Sequence, residues 1–124
     1  MQADLPTISE QKRLPFRPTE WEVDSVYRAL NRCIFDNQLT QPEITLGRWP
    51  KYWGLCVWEE TRQRRSSWGK HGTWCQIRLS DKWYSPQWFI TILAHEMVHQ
   101  YQWDIDRWDY RKEMGYDLSL IHIS

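Results

Sequence analysis

A chain of 124 residues with 41% hydrophobic content is sized for one domain with a modest core, not for two. Sixteen basic against sixteen acidic side chains leave a formal net charge of zero, so no global electrostatic signal announces a nucleic-acid or membrane partner. Three cysteines (Cys33, Cys56 and Cys75) without a C-x-x-C pair argue against a disulfide framework and against a zinc ribbon in these residues. With no basic-then-apolar leader and no apolar run of membrane-spanning length, the expected setting is a reducing cytoplasm, with no membrane partner and a monomeric chain. Ten tryptophans are the compositional oddity; apolar area with one N–H suits core and cleft lining first, and stacking on bases or peptides second.

Residues 1–18 carry Pro6, Pro15 and Pro18 with little periodicity and read as an irregular arm whose Leu14-Pro15-Phe16 can pack on the domain. Thr19 with Glu22 then forms a capping box, and Trp21, Val23, Val26, Tyr27, Leu30, Cys33 and Ile34 recur at helical spacing as far as Asp36-Asn37. Beyond Pro42, Glu43-Ile44-Thr45-Leu46 is a short strand stopped by Gly47. Residues 51–59 alternate as a second strand, with Trp53, Leu55 and Val57 on one face and Cys56 and Trp58 on the other.

Residues 61–72 gather Arg62, Arg64, Arg65 and Lys70 around Trp68, with Gly69 and Gly72 as breakers, and read as a solvated loop between strands. Cations around an aromatic ring are also a grip for single-stranded nucleic acid, so a weak, salt-sensitive contact of that kind is the second reading of this loop. A third strand follows over residues 73–80, with Cys75, Ile77 and Leu79 inward and Trp74, Gln76 and Arg78 outward. Helix, three strands, helix is an α+β order, for which a mainly antiparallel three-stranded sheet with helices on one face is expected.

The last helix carries the chemistry. Ser85 is a good N-cap, Pro86 fits the first helical position, and residues 88–102 contain no Gly or Pro. His95-Glu96-Met97-Val98-His99 is an H-E-x-x-H motif: its imidazoles, four residues apart, lie one above the other on one face, within reach of one metal ion. Glu96 lies about 60° around the axis from His99, placed to act on water at that metal without being a ligand. Phe89, Leu93, Met97 and Gln100/Tyr101 form a second, mostly apolar stripe for burial. The candidate site is therefore His95 and His99 as zinc ligands with Glu96 as the catalytic general base.

The helix ending Phe35-Asp36-Asn37-Gln38-Leu39, the strands with Ile44-Thr45-Leu46, Trp53-Gly54 and Ile77-Arg78-Leu79-Ser80, and then Ile92-Leu93-Ala94 before the motif together resemble the SprT-like zinc metallopeptidases. The continuation Gln100-Tyr101-Gln102-Trp103 is similar to the small phage-encoded members, and the likeness covers residues 19–103. The resemblance implies a zincin-like fold, a catalytic zinc on His95 and His99, Glu96 as base, a protein or peptide substrate, and a third histidine in a later H-G-x-x-F-type segment. A non-catalytic module of the same family, contacting nucleic acid or protein through residues 61–72, is the alternative.

A catalytic zinc takes three protein ligands, and two histidines on one helix do not complete that set. Ile105 stands where the longer metzincin motif has its third histidine and Gln102 where it has its glycine, so that pattern does not apply. Asp106, Asp109 and Glu113 are candidate oxygen donors, and His122 is the remaining nitrogen donor on this side of the motif. Leu118-Ser119-Leu120-Ile121-His122-Ile123-Ser124, however, is the translation of a transposon-end adapter used in sequencing libraries. Residues 19–117 are thus expected to be a metallopeptidase domain incomplete at its C-terminus, with the third ligand beyond Asp117, and the 124-residue chain is expected to bind zinc weakly and hydrolyse little or nothing.

Overall fold

The structure, a computed structural model, describes residues 5–60 and 73–106. In chain order its elements are helix α1 (Ile8–Gln11), helix α2 (Glu20–Ile34), strands β1 (Glu43–Gly47), β2 (Gly54–Glu60) and β3 (Thr73–Ser80), helix α3 (Pro86–Tyr101), and a π-helical turn over Gln102–Asp106. These three helices and a three-stranded mixed sheet make the described part α+β.

Local chemistry accounts for the helix starts. Thr19 Oγ1 accepts the Glu22 N–H at 3.1 Å while the Glu22 carboxylate reaches back to the Thr19 N–H, satisfying two otherwise orphaned donors. Thr7 and Glu10 repeat the device at α1, so residues 1–18 are not irregular throughout as expected: a single capped turn is too short to show periodicity. Gln11 at its end is buried and donates to the carbonyls of Pro6 and Trp49. Phe16 exchanges both main-chain hydrogen bonds with Trp83, which docks Leu14 and Phe16 on the core.

Helix α2 ends at Ile34, two residues before Asp36 and Asn37, both of which adopt positive φ. That left-handed pair turns the chain back. The buried Asn31 amide closes the turn by pairing with both main-chain groups of Leu39, at 2.9 and 3.1 Å. Only part of the apolar stripe of α2 is covered: Val23 and Tyr27 are buried, whereas Trp21 and Ile34 remain exposed.

The sheet order is β1-β3-β2, with β1 parallel and β2 antiparallel to β3. This corrects the expectation of a mainly antiparallel sheet. Alternation has a period of two whichever way a neighbour runs, so it marks the faces of a strand and says nothing of its partner's direction. β3 is central, and its Cys75, Ile77 and Leu79 face inward as expected. In β2 it is Cys56 and Gly54 that face the core, while Leu55 and Val57 are half-buried; Trp53 lies just ahead of the strand, fully buried. Trp53 packs on Trp83 at 5.2 Å, Tyr84 at 5.3 Å and edge-on to Trp88 at 6.1 Å, and Phe89 joins through Trp83. Core lining is thus the use of Trp53 and Trp83. No helix among the described residues is long and apolar enough to cross a membrane.

A buried polar chain ties α2 to α3. Tyr27 Oη donates to Gln100 Oε1 at 2.7 Å, and Gln100 Nε2 donates to the Thr40 carbonyl at 2.8 Å. Burial pushes the Tyr27 phenol above its ordinary value, so the folded state holds the neutral form. Its contribution is full below about pH 10 and falls as the pH rises past it, because the unfolded chain then gains by ionising. Tyr27→Phe should therefore cost about 1–2 kcal/mol in urea unfolding near neutral pH, by leaving Gln100 Oε1 unsatisfied. The variant should also lose less stability than the wild type between about pH 9 and about pH 11; equal losses would show that the phenol is not held neutral by the fold.

Candidate metal centre

The helix that carries the motif begins as its sequence dictates. Ser85 Oγ accepts the Trp88 N–H at 3.2 Å, and Pro86 occupies the first turn, where no N–H is needed. Fourteen residues later in the same uninterrupted α-helix, His99 and His95 present their rings edge to face with centroids 4.5 Å apart. Their Nε2 atoms stand 3.0 Å from each other. Two nitrogens on one tetrahedral zinc, each at about 2.05 Å, are separated by about 3.3 Å, so the observed spacing is within a few tenths of an ångström of that of a ligand pair.

His99 is the deeper of the two at 3% exposure, and its Nδ1 donates to Gln102 Oε1 at 3.3 Å. With Nδ1 occupied as donor, the Nε2 lone pair is the one left to point at the shared position. Burial lowers the pKa of His99 to about 4, with His95 adding repulsion and Gln102 opposing the shift. The ring is thus neutral near pH 7, the form that binds a metal. Gln102 was not among the candidate residues. Its position three beyond His99, one turn along the helix, is the signal that would have found it.

Glu96 points to the sheet. It is wholly buried, and among the described residues neither carboxylate oxygen has a hydrogen-bond partner. Burial pushes its pKa up to about 7, while the Cys56 main chain lies near enough to pull against that rise. A cation between the two imidazoles would lower the value again. Behind Glu96, Cys56 Sγ and Cys75 Sγ lie 3.4 Å apart on neighbouring strands, and the Cys75 contact, followed by burial, holds the Cys56 thiol protonated. Both are free, and their burial makes them small apolar fillers.

The structure brings His95 and His99 together and adds Gln102 to them, while Glu96, between them in the helix, is turned to the start of β2. Among the described residues no third His, Cys, Asp or Glu completes a group able to hold a metal. Asp109, Glu113 and His122 lie outside the described residues, as does the basic loop with Arg62, Arg64, Arg65, Trp68 and Lys70; Asp106 closes the π-helical turn. The donor chemistry, the near-ligand spacing and the orphaned carboxylate fit zinc as far as the described residues go. Set against protein-family models, curated proteins and solved structures, the chain matches none.

His95→Ala and His99→Ala should each abolish zinc binding measured by competition with a chromophoric chelator, since each removes a donor. Gln102→Ala, which keeps both donors but frees the His99 ring, should weaken zinc by roughly tenfold. Unchanged affinity in Gln102→Ala would show that the amide does not orient the ligand.

Proposed function

We propose that the protein is a zinc-dependent metallopeptidase of the SprT-like, zincin-like kind, acting on a protein or peptide substrate in the cytoplasm. One observation carries the reading. Two imidazole Nε2 atoms stand 3.0 Å apart on one helix while the carboxylate of Glu96, next to His95 in the chain, is wholly buried with no side-chain partner among the described residues. Leaving a carboxylate so placed is costly, and structural need does not account for it: Gln or Met would fill the same space. A module that only bound a partner would have no use for it, which favours the enzyme over the binding-module alternative.

In this reading His95 and His99 hold the zinc, and a third ligand comes from outside the described residues. Bound there, zinc supplies a Lewis acid that polarises the scissile carbonyl and acidifies water. Glu96 takes the proton from the attacking water and returns it to the leaving amine. Gln102 keeps His99 in the tautomer that leaves Nε2 free. Ile92 and the start of β2 pack around Glu96 and keep bulk water from it, so that its proton goes to the reacting atoms.

Glu96→Gln is the decisive substitution. The amide keeps the shape and loses the base, so hydrolysis of a denatured protein substrate should fall at least about a hundredfold. Zinc should stay bound. Hydrolysis close to the wild-type rate would remove Glu96 from the mechanism, whereas zinc loss without a change in residual rate would make it structural.

A further inference from the structure

We propose that Gly54 is a positioning residue for Glu96: the hydrogen in place of a side chain at the first residue of β2 is the space in which the Glu96 side chain is seated. The proposal rests on the reading of Glu96 as the general base. Its physical content, a steric seat, does not need that reading.

Gly54 cannot yield its place. The antiparallel ladder sets it opposite Leu79 on the central strand, and just before it the Trp53 carbonyl accepts the Ser80 N–H at 2.9 Å. A Cβ built on Gly54 would come within 2.8 Å of Ile92 Cγ2, 3.1 Å of Glu96 Cγ and 3.2 Å of Leu79 Cδ2. The first distance is one that real carbon atoms do not adopt, and Ile92, branched at Cβ in a helix, has one favoured rotamer and little freedom to swing away. The second distance falls on Glu96 itself. Its Cγ is the middle of the chain, so displacing it by a few tenths of an ångström swings the carboxylate at its end by more. No hydrogen bond among the described residues holds that carboxylate in place. The Cys56 main chain, two residues along the same strand, is set against that carboxylate, and the bare Gly54 leaves the room its Cγ occupies. Glycine inside a strand costs backbone entropy and packing area, and close approach by another group is a physical reason to keep it there.

Gly54→Ala, Ile92→Ala and the double variant, each in the full chain, test the proposal with four readouts. These are Tm, zinc stoichiometry, kcat and KM on fluorescently labelled casein, and the side-chain carboxyl 13C resonance of Glu96 in zinc-free protein, assigned by its absence in Glu96→Gln. Gly54→Ala should move that resonance and lower kcat about tenfold or more with KM and zinc stoichiometry unchanged, as expected for a displaced catalytic group. In the double variant the Ile92 clash is gone and the Glu96 contact remains. Tm should return to that of Ile92→Ala, while kcat stays low and the resonance stays moved. If Gly54→Ala does not fold, the double variant carries every readout. An unmoved Glu96 resonance, or kcat recovering in step with Tm in the double variant, would overturn the proposal. Should the wild type neither bind zinc nor hydrolyse casein, as expected of a domain whose third ligand lies beyond Asp117, the resonance alone decides whether Gly54 seats Glu96.

Discussion

Everything at this site depends on how α3 packs against β2 and β3. Phe89, Ile92, Leu93 and Met97 are buried almost completely, and each contributes on the order of 2 kcal/mol relative to exposure. Against that stands Glu96, whose burial disfavours its ionised form by roughly 3 kcal/mol for a pKa raised to about 7. The apolar gain is several times the polar cost. The helix is therefore anchored whatever the state of the carboxylate.

Two buried amides between the elements are put to structural use. Gln100 lies one residue beyond His99 on α3, yet it is spent entirely on structure, bonded to Tyr27 on one side and Thr40 on the other. Asn31 does the same for the turn that follows α2. Against these partnered amides the Glu96 carboxylate stands out by its chemistry, since burying an ionisable group without a side-chain partner costs more than burying the Gln11, Ser80, Trp83 and Trp88 atoms that also lack one. The contrast also separates the two sides of the motif: Gln100 fixes where α3 sits, and Gln102 fixes how the His99 ring is turned.

The mixed sheet serves the same end. Placing β3 in the middle puts the strand that carries the buried Cys75, Ile77 and Leu79 where both of its edges are bonded, and leaves β2 as the edge strand that α3 contacts most. β2 can then contribute a glycine and a main chain to Glu96 on its inner face, with Cys56 and Cys75 as compact filling behind. Larger side chains at those two positions would push α3 away from the sheet and open the space around the carboxylate.

What the residues determined by themselves is the local part. Thr19 and Glu22, Ser85 and Pro86, the alternation of Cys75, Ile77 and Leu79, and the four-residue spacing of His95 and His99 each act within a turn or along one strand. Helix starts, strand faces and the shared face of the imidazoles were legible for that reason. Short elements escaped, as the single turn of α1 shows, because one turn carries no period. Only the tertiary structure decided that β1 runs parallel to β3, that Cys56 rather than Leu55 faces the core, that Glu96 is wholly buried and that Gly54 makes room for it. Each of these depends on a partner dozens of residues away, and a pattern with a period of two or 3.6 records which way a side chain points without recording what it will meet.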